Sequence, residues 1–561
     1  MKTTLQVTFI MKSTIYFFER KTNSHILLSL MKISFDFLSF WIYPFLRSNE
    51  MEELNLGMFK PYDIRTKMEK LEPELLKRLS LSVALYYKNI LEAPSVVIGR
   101  DARLNAPGVT DSLVKAFRSL GVDVLLNPLT ISTCQFYYSC MRHRESGGIM
   151  VTASHNPESY IGLKLMAQDV FPLAYGCGKE GGIKKIKEIY LSGPTLIEGE
   201  KKGSLEVINY LDDYISYSME LSGVKEGDLK GQKILLEFLN GSAGSEVALA
   251  FQKAGAEVDL MDVIPDGNFP KGDPNPIIET SIAPTRKAMK EGEYDYGFCF
   301  DGDGDRLDLM YRDGTQIVPG LNMALIADSV MKIFNGEKKD FYADVKAIPT
   351  SLALMAKSGA KIHIIRNGHS FIKEKLRENC DKGYFASEEE SAHYYMNFPY
   401  DIKDRKKGYA SVENTLFFAL MTAKCYKEKP EEYEKAYRIG QSIFRKREWP
   451  LHFENAPEKM EDIMKDVEER MKEMGAVVIK EMDDGDSLDA TLMRFNLPVS
   501  IDGETDLEGK TWCQVAERIS RSEDAMCRWE IVSNSKEECE RLNGEVRKIT
   551  DKYVNAGYAR Y

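Results

Sequence analysis

The sequence lacks the cysteine patterns that mark secreted and zinc-binding proteins. Its 9 cysteines stand singly among 561 residues, and no two of them form a Cys-x-x-Cys pair. This spacing argues against a disulfide scaffold and against a zinc ribbon, whereas a reducing compartment fits it. We therefore expect a cytoplasmic protein in which most cysteines are small buried apolar residues.

The sequence also lacks an excess of positive charge and a long apolar segment. Its net charge is −11, which argues against general nucleic-acid binding because phosphate backbones attract cationic surfaces. The apolar run at residues 37–46 is ten residues long, whereas a bilayer span needs about 20. We expect neither nucleic acid nor a membrane as a partner, and oligomerisation is not required.

The first fifty residues differ in composition from the rest, being rich in Phe, Ile, Leu and Ser. No small-residue cleavage site follows their apolar run, so they do not match a signal peptide. We predict that residues 1–50 are a leader outside the folded protein, with translation starting at Met51 or Met58. A genuine anchor or targeting segment is the alternative.

Short apolar runs alternate with helical patterns from residue 59 onward. Runs at 95–98 and 148–152 flank a helical pattern at 109–120, and the same rhythm restarts near Lys233 and Phe341. Such alternation predicts βαβ units. We expect three related α/β domains with mixed sheets and a smaller C-terminal α+β domain around a central cleft. The predicted limits are 51–200, 201–318, 319–445 and 446–561, with a connecting helix at 424–447.

Ser154 follows an apolar run and precedes the turn formers Asn156 and Pro157. A serine exposed at the end of a buried strand can act as a nucleophile or carry a phosphoryl group. The Gly-x-Ser-x-Gly pattern of serine hydrolases is missing. His155 is its immediate neighbour and is therefore predicted to be poorly placed to deprotonate it. A serine that merely caps a tight turn is the alternative.

Asp301, Asp303 and Asp305 alternate with glycines directly after an apolar run. Carboxylates in this arrangement can surround one hard cation with oxygen ligands. An EF-hand would need Gly and Glu at the sixth and twelfth positions, but Arg306 and Arg312 stand there. A magnesium loop is the better interpretation, with a solvated acidic turn as the alternative.

Together these motifs resemble those of the α-D-phosphohexomutase family, in the order in which that family has them. The resemblance runs from about Phe59 to the C-terminus. It is carried by the segments 59–65, 99–103, 152–157 with Lys164, 265–270, 274–276, 301–306, 366–370 and 388–393.

The resemblance implies a phosphohexomutase that moves a phosphoryl group between the 6- and 1-positions of a hexose phosphate. Mannose is the first expectation for the sugar and glucose the second. The implied intermediate is a hexose 1,6-bisphosphate, which would also act as activator, and one Mg²⁺ is implied per chain. The implied catalytic residues are Ser154, Lys164, Arg65 and His393. The implied metal ligands are Ser154, Asp301, Asp303 and Asp305. The implied substrate-binding residues are Arg306, Glu389, Ser391, Arg366, Arg518, Ser520 and Ser522.

The sequence departs from the family pattern in the last domain. The family's Arg-x-Ser-Asn-Thr loop has its counterpart at Arg518 to Ser522, where the Asn and Thr are absent and Glu523 and Asp524 follow. Thr66 and the pair Ser387-Glu388 replace expected glycines. A phosphoglucosamine mutase is therefore kept as an alternative. A catalytically silent sugar-phosphate-binding protein is the alternative from another class.

Overall fold

The computed structural model describes residues 54–196, 199, 201–520 and 525–561. The predicted leader, residues 1–50, lies outside the described residues. The described residues form four sheets, of which three mix parallel and antiparallel strands and the last is antiparallel throughout. The predicted α/β class with an α+β C-terminal part is confirmed. Among the helices described, none combines the length and apolar character that a bilayer crossing requires.

The first sheet has the order β1-β5-β4-β2-β3-β7, with β6 beside β5. Its central strand β4 is buried along its whole length, which explains the unbroken apolar run in the sequence. The strands are β1 (Ile64–Lys67), β2 (Ser95–Arg100), β3 (Asp123–Thr130), β4 (Gly147–Val151), β5 (Tyr160–Ala167), β6 (Phe171–Leu173) and β7 (Leu205–Val207). The helices are α1 (Pro73–Tyr86), α2 (Ala106–Ser119), α3 (Thr133–Arg142) and α4 (Ile183–Leu191).

The second sheet has the order β12-β11-β10-β8-β9. Its strands are β8 (Lys233–Glu237), β9 (Glu257–Met261), β10 (Tyr296–Phe300), β11 (Leu307–Tyr311) and β12 (Gln316–Ile317). Its helices are α5 (Leu211–Ser222), α6 (Gly244–Lys253) and α7 (Glu279–Glu291). Strands β10 and β11 are buried throughout, so the aspartate loop between them starts and ends in the protein interior.

The third sheet has the order β14-β13-β15-β16-β17, and the fourth β18-β22-β21-β20-β19. The third contains β13 (Asp340–Asp344), β14 (Lys361–Ile365), β15 (Tyr384–Glu389), β16 (His393–Pro399) and β17 (Tyr409–Glu413), with α8 (Pro319–Lys332), α9 (Pro349–Lys357), α10 (His369–Glu378), α11 (Thr415–Glu428) and α12 (Pro430–Gln441). The fourth contains β18 (Phe444–His452), β19 (Val477–Glu481), β20 (Ser487–Phe495), β21 (Cys513–Ile519) and β22 (Met526–Ser533), with α13 (Lys459–Glu473) and α14 (Lys536–Asn555).

The three mixed sheets share one strand order. The corresponding runs are β3-β2-β4-β5-β1, β9-β8-β10-β11-β12 and β14-β13-β15-β16-β17. In each run three parallel strands are followed by two antiparallel ones. The turn from the third to the fourth strand of each run, here called a hairpin turn, contains residues 152–159, 301–306 or 390–392. Each of the three predicted chemical motifs therefore occupies the same position in its own sheet.

The three mixed sheets also share one apolar core, which contains Val97, Phe298 and Phe417. The antiparallel sheet packs a separate core around Val515 and Trp529. The first three sheets are thereby held in fixed relation by burial of apolar surface, which is the main stabilising term in folding. All 9 cysteines lie among the described residues and are buried and free, as expected.

The domain limits themselves stay a prediction. Strand β7 lies beyond the limit drawn at residue 200 but pairs with β3 of the first sheet. Strand β18 begins at Phe444, which is two residues before the predicted start of the last domain at 446. Both strands extend only a few residues past a predicted limit, as expected where the chain passes from one domain to the next.

The predicted connecting helix at 424–447 is wrong. Helix α11 ends at Glu428, a new helix α12 begins with Pro430 in its first turn, and the chain is a strand from Phe444. Proline has no backbone N–H and is tolerated in the first turn of a helix but not inside one. Pro430 therefore separates two helices within the charged stretch, where the charge pattern alone predicted one continuous helix.

Candidate active site

Ser154 lies in the first hairpin turn with a left-handed backbone conformation. Its φ is 52°, and its N–H donates to Thr152 Oγ1 at 2.9 Å. A non-glycine residue in this region is strained by about 1–3 kcal/mol and is retained where the surrounding structure enforces it. Ser154 is 4% exposed, so its hydroxyl is held rigidly rather than free in solvent.

Arg103 is the residue that enforces this turn. Its side chain is 1% exposed and its Nε donates to Asp101 Oδ2 at 3.1 Å. Its other two nitrogens donate to backbone carbonyls of the turn, at distances from 2.6 to 3.0 Å. The acceptors are the carbonyls of Ser154, Asn156, Pro157 and Tyr160. A planar guanidinium with five donors suits this task. Arg103 thus acts as a positioning residue.

The second hairpin turn brings Asp301 to the serine. Asp301 Oδ2 accepts from Ser154 Oγ at 3.1 Å, and its Oδ1 accepts from the N–H groups of Asp305 and Arg306 at 3.2 Å. Burial, followed by the charges of Asp303 and Asp305, raises the pKa of Asp301 well above its ordinary value. Three buried carboxylates this close together repel one another, so a cation bound among them would stabilise the turn.

The carboxylate oxygens of this turn fit a hard divalent cation. Asp303 Oδ1 and Asp305 Oδ1 are buried and make no hydrogen bond among the described residues. Oxygens from Asp301, Asp303 and Asp305 lie within 4.8 Å of one another. Buried oxygens left without donors are what oxygen-coordinated Mg²⁺ requires.

Two threonines from other parts of the chain hold the aspartate turn, and sequence reasoning missed both. Thr133, the first residue of α3, donates from Oγ1 to Asp303 Oδ2 at 2.6 Å and from its N–H to the Asp303 carbonyl at 2.8 Å. Thr415, the first residue of α11, donates from Oγ1 to the Gly304 carbonyl at 2.8 Å. The sequence signal that could have located these threonines is the capping residue directly before each of them, Ser132 before α3 and Asn414 before α11.

Lys164 makes the main ion pairs with the aspartates. Its Nζ donates to Asp303 Oδ2 at 2.7 Å and also to Asp305 Oδ2. Burial alone would lower the pKa of Lys164, but Asp303 and Asp305 raise it above its ordinary value. Lys164 is therefore a fixed positive charge beside the serine.

Arg306 and His393 form a second layer of contacts. Arg306 Nε donates to His393 Nε2 at 3.2 Å. Because arginine stays protonated, Nε2 must be the acceptor and the proton of a neutral His393 is on Nδ1. That nitrogen faces Asp305 Oδ1 and Glu413 Oε1, each at 3.7 Å. The cluster of Asp305, His393 and Glu413 therefore presents an N–H to its centre and is unsuited to a metal.

The expectation that His155 is poorly placed is wrong. Its Nδ1 lies 3.1 Å from Ser154 Oγ. The left-handed conformation of Ser154 turns the two neighbouring side chains toward each other, which an extended backbone would not do. Burial, together with Arg306 and Arg65, lowers the pKa of His155 well below its ordinary value. His155 is thus neutral, with Nδ1 within hydrogen-bonding distance of the serine oxygen.

Arg65 reaches the serine turn from β1. It donates from Nη1 to Asn156 Oδ1 at 2.6 Å and from Nη2 to Asp63. The structure thus brings together four of the predicted residues, Ser154, Lys164, Arg65 and Arg306, around the aspartate turn.

Glu389, the last residue of β15, and Ser391 lie at the third hairpin turn. Glu389 Oε1 accepts from Asn367 Nδ2 at 2.7 Å and Oε2 from the Tyr395 hydroxyl. Burial, and then the charge of Asp344, raises the pKa of Glu389 to about 7. Ser391 is half-buried in the same turn.

The predicted phosphate-binding residues are less closely gathered. Arg366 pairs with Asp489 at 3.1 Å and lies 3.2 Å from the centroid of the Phe371 ring. Arg518 pairs with Glu448, Ser520 is buried, and Ser522 lies outside the described residues. The structure therefore gives Arg366 and Arg518 acidic partners from within the chain.

Replacing Thr133 with valine is expected to weaken metal binding without unfolding the protein. Valine keeps the shape but removes the donor that orients Asp303, and loss of such a partner reduces metal affinity by about 10–100-fold. The Mg²⁺ concentration for half-maximal activity should rise, and calorimetry should show the same loss for Mn²⁺. Thr110→Val is the matched control, because Thr110 Oγ1 is buried and donates to the Ala106 carbonyl within α2. An unchanged Mg²⁺ requirement in Thr133→Val would contradict this role.

Known proteins are similar to this chain in the segments that contain the serine turn and the aspartate turn. Residues 57–180 match the family described as phosphoglucomutase/phosphomannomutase, alpha/beta/alpha domain I, and residues 210–314 match its domain II. A phosphomannomutase of Escherichia coli K12 is 30% identical over 350 residues, covering 62% of this chain and 74% of that protein. A phosphomannomutase of Vibrio cholerae is 29% identical over 352 residues, covering 62% and 73%.

Solved structures show the same fold. A phosphoglucomutase/phosphomannomutase family protein of Burkholderia thailandensis has a TM-score of 0.70 at 21% identity, covering 88% of this chain and 97% of that one. The pp63/parafusin phosphoglucomutase of Paramecium, in its open form, has a TM-score of 0.66 at 14% identity, covering 89% and 95%. With both domain matches and the 30% identical relative, the chain belongs to the phosphoglucomutase/phosphomannomutase family.

Proposed function

We propose that this protein is a phosphohexomutase that transfers a phosphoryl group between the 6- and 1-positions of a hexose phosphate. Ser154 would carry the phosphoryl group and a hexose 1,6-bisphosphate would be the intermediate and activator. The observation that carries the proposal is the contact of 3.1 Å between Ser154 Oγ and Asp301 Oδ2, beside two carboxylate oxygens to which no described residue donates. Membership of the family supports the same conclusion.

The residues around Ser154 suit phosphoryl transfer. A phosphoserine carries about −1.5 to −2 charges at neutral pH, and Lys164, Arg65 and Arg306 supply fixed positive charge around it. One Mg²⁺ held by Ser154, Asp301, Asp303 and Asp305 would, when bound, act as a Lewis acid toward the phosphoryl oxygens. Because these side chains are already buried and ordered, they stabilise the transfer without reorganising.

Proton movement accompanies each transfer. The attacking sugar hydroxyl loses a proton and Ser154 Oγ gains one when it leaves the phosphorus. His155 Nδ1 is placed to exchange the proton at the serine oxygen. Lys164 and His393 were the sequence candidates for acid and base. His393 Nε2 is engaged by Arg306, and Lys164 is held protonated by Asp303 and Asp305, so Lys164 can serve the sugar side only as a proton donor.

Mannose is the first substrate we propose, and glucose the second. The relatives named phosphomannomutase support this order. Glu389 and Ser391 would bind adjacent sugar hydroxyls, which both orientations of the bisphosphate present. We place the reaction in the cytoplasm, where buried free cysteines remain reduced.

Mass spectrometry of the intact protein and its peptides tests the phosphoserine. After incubation with mannose 1,6-bisphosphate or glucose 1,6-bisphosphate, a phosphate is expected on the peptide containing Ser154, and a hexose 6-phosphate should then remove it. The control is Ser112→Ala, a serine of α2 outside the site, which should be labelled normally. Absence of label at Ser154 before and after incubation would refute the mutase.

A coupled assay then identifies the sugar. Mannose 1-phosphate, glucose 1-phosphate and glucosamine 1-phosphate are compared at equal concentration. We expect the largest kcat/KM with mannose 1-phosphate. A larger value with glucosamine 1-phosphate would establish the phosphoglucosamine alternative instead.

A further inference from the structure

Arg518, which the family resemblance implies as a substrate-binding residue, is held by a carboxylate of its own chain. Glu448 accepts from Arg518 Nε at 2.7 Å and from Nη2 at 2.9 Å. Two parallel hydrogen bonds of this kind are the geometry with which an arginine binds a carboxylate or a phosphate. Glu448 therefore occupies the edge of the guanidinium that a phosphate would use.

A bulge in β18 places Glu448 there. The pairing of β18 with β22 shifts register between Lys446 and Trp449. Such a bulge redirects the side chains it contains. Arg518 and Arg528 are directly opposed on β21 and β22, and Arg528 Nη1 lies 3.4 Å from Glu448 Oε2. Glu448 thus faces two arginines at one end of the sheet.

Glu448 lies among cations from two sheets. Burial would raise the pKa of Glu448, but Arg518, Lys346 and Arg528 lower it to about 2. Lys346 follows β13 of the third sheet, so the cluster joins the third and fourth sheets. Cations gathered at one place, with Asp344 and Glu530 also acting on Lys346, are groups that can bind a phosphate monoester.

The cluster lies close to the sugar-binding turn. Asp344, whose charge helps to raise the pKa of Arg518 against the effect of burial, accepts from Asn367 Nδ2 at 3.4 Å. The same nitrogen donates to Glu389 Oε1 at 2.7 Å. The side chains of Arg518 and Glu448 are 21% and 18% exposed, so a ligand can reach them from the solvent.

We propose that Glu448 competes with the phosphate of the substrate for Arg518 and thereby limits how tightly that phosphate is held. The inference rests on the proposed function, because the competing group is the phosphate of a hexose phosphate. On phosphate binding, the Glu448 carboxylate leaves Arg518 and stays beside Arg528 and Lys346.

Such competition serves the reaction. The bisphosphate has to leave Arg518 and return with its two phosphates exchanged in every cycle. A phosphate bound to Arg518 without a competitor would be released slowly, whereas a carboxylate beside it that can replace it shortens its stay. Glu448 therefore determines substrate affinity through Arg518 without touching the reacting atoms.

Phosphate affinity of Glu448→Gln tests the proposal. An amide presents an N–H toward Arg518 and cannot accept both hydrogen bonds, so the competitor is weakened. Calorimetry with inorganic phosphate should show binding tightened roughly tenfold, the size expected for loss of one charged hydrogen-bonded competitor. The KM for mannose 1-phosphate should fall by a similar factor while kcat does not rise, because the change acts on ground-state binding.

Three further variants make the result specific. The gain in phosphate affinity should vanish in the double variant Glu448→Gln, Arg518→Gln. Glu454→Gln is the matched control, since Glu454 pairs with Arg560 on the exposed surface of the same sheet, and it should bind phosphate normally. Glu448→Asp keeps the charge but is too short to bind both nitrogens of Arg518, and should tighten phosphate binding less than Glu448→Gln.

Unchanged or weaker phosphate binding in both Glu448→Gln and Glu448→Asp would overturn the proposal. A gain that persists after Arg518 is replaced would overturn it as well. Phosphate calorimetry does not depend on turnover. A protein without phosphoserine but with tighter phosphate binding in Glu448→Gln would refute the mutase while supporting the competition.

Discussion

Ser154→Ala is expected to lose at least about 10³-fold in kcat/KM, the scale seen when an enzyme's covalent nucleophile is removed. The hydroxyl is the group that contacts both Asp301 Oδ2 and His155 Nδ1 at 3.1 Å. The neighbouring hydroxyl of Thr152 is engaged with the Ser154 N–H and cannot replace it. The coupled mannose 1-phosphate assay measures the loss.

The fold of Ser154→Ala should be unchanged. Alanine has the same backbone restrictions as serine at a φ of 52°, and Arg103 holds the turn through main-chain carbonyls that remain. The melting temperature should match that of Ser112→Ala within a few degrees, which corresponds to about 1 kcal/mol or less. Activity retained at more than a few per cent would contradict the role of Ser154.

Arg103→Leu is expected to reduce both stability and turnover. Asp101 would be left as a buried carboxylate without its cation, which destabilises a protein by about 3–5 kcal/mol. The serine turn would lose its four carbonyl contacts, and a displacement of 1 Å at the reacting group lowers turnover by about 10²-fold. Urea denaturation and kcat per folded molecule measure the two effects separately.

Two variants distinguish positioning from charge in Arg103. Arg103→Lys keeps the cation but has one nitrogen where arginine has three, so kcat should still fall while stability recovers in part. Arg100→Leu is the matched control, since Arg100 Nη2 donates to the Pro128 carbonyl near the surface. Its kcat should be unchanged. Normal turnover per folded molecule in Arg103→Leu would contradict the positioning role.

Local composition was sufficient to predict strands such as β2, β4, β8 and β13, and to single out the aspartate loop. Alternating Asp and Gly after an apolar run leaves few structural interpretations besides a cation loop. Contacts made over long sequence separation could not be predicted in this way. Thr133 is 170 residues from Asp303, and Thr415 is 111 residues from Gly304. No local pattern encodes which turn the start of a helix will face.

Backbone conformation limited the prediction at two further positions. The left-handed φ of Ser154 brings His155 to its hydroxyl, although sequence adjacency had argued against that contact. The bulge in β18 turns Glu448 onto Arg518, which regular alternation along a strand does not predict. In both cases a single dihedral or register change decides which side chains meet.

The shared position of the three hairpin turns restricts how the chain can evolve. Surface loops ordinarily accept insertions. Lengthening any of these three turns by one residue would shift the nucleophile, the cation loop or the sugar-binding pair relative to the other two. Variation in loop length among relatives should therefore gather at the opposite ends of the same strands, leaving three turns of constant length in proteins whose remaining loops differ freely.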